Sequence, residues 1–138
     1  MNKPELAVGT HGIATAIVSD GDLADKVALN TSDAFPAVYA TARMIALMEL
    51  AAARAMAPAL GHGENSVGVT VDIEHTSPTP AGGRVTAEAH YLGREGKLYL
   101  FEVVARDDAG IIGRGRHKRA VVDANRIEAR AAERRSAR

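Results

Sequence analysis

The sequence predicts an α+β fold in which an antiparallel sheet of about five strands curves around one long, buried helix. Three observations predict it. Residues 37–56 are rich in Ala, Leu and Met and contain no Gly or Pro, so they read as a helix that is apolar nearly all round. From residue 67 the hydropathy pattern switches to period two, in runs divided by short turns containing Gly, Asp or Pro. Consecutive strands after a single helix argue for antiparallel pairing rather than βαβ units.

Gly9 to Val18 alternates Ile13, Thr15 and Ile17 with smaller residues and reads as the first strand. Ser19 to Asp25 is a turn. Phe35-Pro36 leads into the helix, because proline suits a first helical turn, and Pro58, Gly61 and Gly63 end it. In the next strand Val67, Val69, Val71 and Ile73 share one face and Asp72 and Glu74 the other, with His75 at the end of the apolar face. Arg84 to Leu92 turns Val85, Ala87, Ala89 and Tyr91 one way. Lys97 to Arg106 is apolar on both faces and suits an interior strand. Ile111 to Val122, the last strand, sets Arg114, Arg116 and Lys118 against Gly113, Gly115, His117 and Arg119. Residues 1–123 read as a single domain. Residues 124–138 are Ala, Arg and Glu with few large apolar side chains, a frayed helix or disordered tail.

Composition narrows the function. Apolar residues make up 46% of the 138, enough for a core, whereas aromatics are 4%, so Ala, Val, Ile, Leu and Met are expected to fill it. Seventeen basic residues balance 17 acidic ones, which gives no general case for nucleic acid or an anionic membrane surface. A net charge near zero removes one deterrent to self-association. With no Cys, thiolate nucleophiles, disulfides and thiolate metal sites are excluded. The first residues do not resemble a signal peptide and no apolar run spans a bilayer, so a cytoplasmic protein is expected. Phosphate-loop, dinucleotide and nucleophile-elbow signatures are missing, and His62, Glu64, His75 and His90 have no metal-ligand spacing. Neither metal nor cofactor is expected.

Glu49 is the one ionisable residue between Met44 and Ala53. A carboxylate in apolar surroundings resists ionisation unless something pairs with it, which points to chemistry, although a narrow wet edge of the helix would also explain it. Thr41 lies two turns earlier and roughly 80° away around the axis, so both residues can border one cleft. Thr41 taken singly also fits a helix Thr bonded back to a carbonyl. His75 interrupts an apolar strand face and needs a partner; Glu49 is the obvious one if the helix crosses the sheet, and a satisfied core His is the alternative. A hydroxyl, a carboxylate and an imidazole together suit acyl transfer. Gly68 is either a place where a ligand approaches the backbone or a bulge. The basic face of the last strand is either a lip for a phosphate-bearing carrier or a solvated surface.

Phe35-Pro36-Ala37-Val38-Tyr39-Ala40-Thr41, Leu47-Met48-Glu49, Arg54-Ala55-Met56-Ala57-Pro58, Gly68, His75-Thr76 with Pro78 and Pro80, and His117-Lys118-Arg119-Ala120-Val121 resemble the fluoroacetyl-CoA thioesterase branch of the hot-dog-fold thioesterases, in order and spacing. The resemblance implies a hot-dog fold, a homodimer with sites at the interface, and hydrolysis of a short or medium acyl-CoA, CoA entering only as part of the substrate. It implies catalytic places for Thr41, Glu49 and His75, a backbone place near the thioester oxygen for Gly68, an acyl-pocket place for Phe35 and a ligand place for Arg119. Ser32 stands where the fluoroacetyl-specific pattern has a second aromatic, and the segment Lys26 to Asp33 matches poorly. A non-catalytic acyl-CoA binder and a hydratase or dehydratase on the same fold are the competing functions.

Overall fold

The computed structural model describes residues 5–137. Strand β1 (His11–Ile17) precedes helix α1 (Thr41–Met56), and β2 (Glu64–His75), β3 (Arg84–Glu95), β4 (Leu98–Asp107) and β5 (Gly110–Asp123) follow. They form one antiparallel sheet in the order β1-β3-β4-β5-β2, so the two edges are β1 and β2. The sheet curls around α1, the expected hot-dog arrangement. β4 is interior, as its two apolar faces require. The charged tail, expected as a frayed helix or disordered, is a 13-residue helix α2 (Ala124–Ser136), with Asp123 capping its start by accepting from the Arg126 N–H at 2.9 Å.

The core lies between α1 and the inner sheet face, where Met44, Met48 and Met56 are buried in one cluster with Val85, Val103 and Ile112. Aromatic residues contribute more than their scarcity suggested. Four of the five are buried, and Tyr91 packs against Tyr99 and Phe101 with ring centroids 5.7 and 5.5 Å away. In β1 the small residues face inward, and Ile13 and Ile17 are about half exposed. The helix sits too close for larger ones. A Cβ on Gly12 would overlap the Ala51 carbonyl oxygen and lie 2.7 Å from the Ala55 nitrogen, and Arg54 donates to the Ile13 carbonyl at 2.8 Å. Gly12→Ala should therefore lower the unfolding free energy by about 1–3 kcal/mol, since backbone must move to admit the methyl. Urea unfolding with an unchanged m-value checks this.

Two local expectations are corrected. The helix begins at Thr41, not at residue 37. Leu23 bridges to Tyr39, the Tyr39 N–H bonds the Thr79 carbonyl at 2.8 Å, and the Ala40 N–H bonds the Asp22 carbonyl at 2.9 Å. These tertiary bonds hold residues 39 and 40 out of the helix. Nor do all four apolar residues of β2 share a face. Gly68 pairs with Arg119 but Thr70 pairs with Lys118, so a bulge inserts one extra residue. Past it the facing inverts: Val67 lies opposite Ala120, whereas Val71 lies opposite His117 and Ile73 opposite Gly115.

Candidate active site

The candidate residues fall into two groups. Thr41, the first residue of α1, and His75, the last of β2, meet with Thr41 Oγ1 and His75 Nδ1 2.8 Å apart. They line a cleft of about 380 Å³ together with Pro36, Val38, Ser77 and Pro78. Burial pushes the His75 imidazole below its ordinary value, and a bond with the Ser77 backbone draws it part of the way back. Its Nε2 is buried and has no hydrogen-bond partner among the described residues. An unpaired buried nitrogen is costly, which marks it as a place for a substrate or partner group.

Glu49 belongs to the second group, two helical turns away. Its Oε1 lies 3.5 Å from Arg119 Nη1 and 3.9 Å from His117 Nε2, and its side chain is 39% exposed. The carboxylate is thus paired and half wet, not isolated among apolar atoms. Arg119 is almost fully buried and held at each nitrogen: Nε donates to Ser66 Oγ at 2.9 Å, Nη2 to the Ser66 carbonyl at 2.8 Å and Nη1 to His117 Nε2 at 3.0 Å. His117 Nδ1 lies 2.8 Å from the Thr70 carbonyl oxygen. A carbonyl only accepts, so Nδ1 carries the proton; a guanidinium only donates, so Nε2 is the acceptor. His117 is therefore the neutral Nδ1–H tautomer. Burial first, and then the Arg119 charge, push its pKa down against the opposing pull of Thr70 and Glu49. The charge facing Glu49 is the guanidinium, not an imidazolium.

Gly68 lies beneath this group. A Cβ there would overlap Glu49 Oε1 and lie 3.0 Å from His117 Cε1. It is both a bulge residue and a place of close approach. Phe35 is about half exposed on the segment before α1, next to Pro36 in the cleft wall. The expected Glu49–His75 pair does not form within the chain; Glu49 takes Arg119 and His75 takes Thr41. The alternation of β5 already set His117 and Arg119 on one face, yet the anchoring by Ser66, Thr70 and His117 was not anticipated. The outer basic face is charge-balanced: Arg114 and Arg116 stand opposite Glu74 and Asp72, and Lys118 bonds Glu95 at 2.7 Å. That favours a solvated surface over a phosphate lip. Among the described residues no helix is long and apolar enough to cross a membrane, and no group of three or more acidic or imidazole side chains could hold a metal ion.

Residues 21–125 match the family model described as FlK, fluoroacetyl-CoA-specific thioesterase. The fluoroacetyl-CoA thioesterase of Streptantibioticus cattleyicolor is 43% identical over 96 residues, 70% of this chain and 69% of that protein. A solved structure of the fluoroacetyl-CoA thioesterase superposes with a TM-score of 0.85 at 33% identity, covering 94% of this chain and 98% of the other. A Thermus thermophilus member of the thioesterase superfamily gives 0.84 at 28% identity, covering 97% and 98%. Sequence and architecture agree: the chain belongs to the fluoroacetyl-CoA-specific thioesterase family, acyl-CoA thioester hydrolases of hot-dog fold.

Proposed function

We propose that this chain hydrolyses short or medium acyl-CoA thioesters to the free acid and CoA, in a homodimer whose sites lie at the interface. Thr41, Glu49 and His75 are the catalytic residues, and Phe35, Gly68 and Arg119 contact substrate. The observation that carries the dimeric site is the split geometry. Eight helical residues put Thr41 and Glu49 roughly 12 Å apart along α1, too far for one chain to aim both at one carbonyl. Meanwhile β2 is a long open edge, with Val69 and Val71 about half exposed. Two copies pairing antiparallel along β2, about a dyad at residue 72, would set His75 of one chain opposite the partner's Gly68 once the extra residue of the bulge is counted. Glu49 above that glycine would then face the Thr41–His75 pair.

Within such a site Glu49 either draws a proton from water or attacks the acyl carbon itself. On the first route His75, neutral at rest and steered by Thr41, takes that proton from Glu49 at its free Nε2 and, as imidazolium, releases it to the departing sulfur. A Gly68 N–H at the thioester oxygen would stabilise the developing negative charge. With Ser32 in the segment before it and Phe35 half exposed, the acyl end is more open than a fluorine-selective pocket needs, so turnover should extend beyond fluoroacetyl-CoA.

Steady-state hydrolysis of an acyl-CoA panel, followed by thiol release, tests the activity; CoA-ester binding without turnover would indicate a binding module instead. Mixing tests the interface. Glu49→Ala and His75→Ala proteins, each inert alone, should regain up to about a quarter of wild-type activity when unfolded and refolded together, since half of randomly paired dimers hold one intact site. A mixture as inert as its components would place the whole site within one chain.

A further inference from the structure

We infer that His117 is a positioning residue for this reaction, one that aims the Arg119 guanidinium at Glu49 by accepting from it at Nε2. The inference rests on the assignment of Glu49 as the reacting carboxylate and adds a residue to which no catalytic or binding role was given above.

Arg119 is fixed on one side by Ser66, through Nε and Nη2. Those two bonds leave the guanidinium free to rock about the Ser66 contact. The third bond, Nη1 to His117 Nε2 at 3.0 Å, closes that freedom on the nitrogen that faces Glu49. His117 can accept only while Nε2 is unprotonated, and the structure secures this state from three sides. His117 is 1% exposed, so ionisation would find no solvent to offset its cost. Thr70 offers a carbonyl to Nδ1, which fixes the proton there. Arg119 itself repels a second positive charge. The bulge connects these facts: Thr70 follows its extra residue, and the same irregularity sets Gly68 under the His117 ring and the Glu49 carboxylate. Backbone irregularity, imidazole and guanidinium thus form one line from Thr70 to Glu49.

Substitutions that split the two ends of the imidazole test this. In His117→Gln the side-chain amide reaches the Nε2 position and can still accept from Arg119. In His117→Asn it reaches only the Nδ1 position and keeps the Thr70 contact alone. We expect His117→Asn to lose kcat by tenfold to a hundredfold, the range in which a misaimed group outside the reacting atoms acts, and His117→Gln to stay within about threefold of wild type at a similar melting temperature. Equal losses in both variants, or losses that track their melting temperatures, would overturn the positioning role. Nitrogen-15 spectra of histidine-labelled wild-type protein give a reading that needs no variant to fold. They should show His117 as the neutral Nδ1–H tautomer at neutral pH and below the ordinary histidine range; an imidazolium or Nε2–H form there would refute it. Retained activity in Glu49→Gln would sink the functional assignment while leaving that spectroscopic result intact, so the two failures are distinguishable.

Discussion

Glu49→Gln should reduce kcat/KM for acyl-CoA hydrolysis by about a thousandfold, within the range lost with a positioned general base. Gln keeps the size and one oxygen but cannot take a proton from water or form an acyl anhydride. Arg119 would lose its only ion-pair partner among the described residues, yet Ser66 and His117 still hold it, so the fold should survive. The measurement is thiol release at saturating and limiting substrate, with circular dichroism to confirm the folded state. Glu49→Asp should fall between, because its carboxylate is one methylene short of the same place. If Glu49→Gln kept a tenth or more of wild-type activity, catalysis would have to be reassigned to Thr41 and His75 alone.

Gly68→Ala should be damaging for a different reason, and by about tenfold less. The added methyl meets one yielding neighbour and one unyielding one. The Glu49 carboxylate is the free end of a half-exposed side chain and can swing away. The His117 ring is buried, bonded at both nitrogens and only 3.0 Å from the new carbon. Glu49 is therefore the group that moves, and a displacement of about 1 Å in a catalytic group costs on the order of a hundredfold. Activity should drop by about that factor while the protein remains folded, with kcat falling more than KM rises. Wild-type turnover in Gly68→Ala would mean that Glu49 does not react from the position seen here.

Much of this arrangement was legible in the sequence because the periodicities were strong. The Val85-Ala87-Ala89-Tyr91 alternation sits in the core as read, and the interior place of β4 follows from its two apolar faces. Thr41 and His75, each a candidate in the sequence, lie within 2.8 Å of one another. What escaped was long-range. Pro36 looks like a helix opener, so the sequence puts the start of α1 too early, and only the distant Thr79 and Asp22 carbonyls show why residues 39 and 40 stay out of the helix. Glu49 stands out along the apolar helix, but its partner depends on where the helix lies over the sheet, which spacing along one strand does not encode. The β2 bulge, one of the two readings open for Gly68, left no trace in hydropathy. On an exposed edge, valines are tolerated on either face, so Val67, Val69 and Val71 imitate a continuous alternation that the backbone breaks.

That break gives β2 a parity. Residues before Gly68 and residues after Thr70 count inward and outward on opposite beats, and His75 faces the helix only because one beat is skipped between them. Strand length alone is therefore a poor guide to equivalence among relatives of this chain. Two β2 segments of equal length, one bulged and one regular, would present opposite side chains to the cleft, however well their valines align. Correspondence along this strand has to be counted from the skipped beat outward in both directions, with Gly68 and His75 as the two landmarks that must fall on the same side.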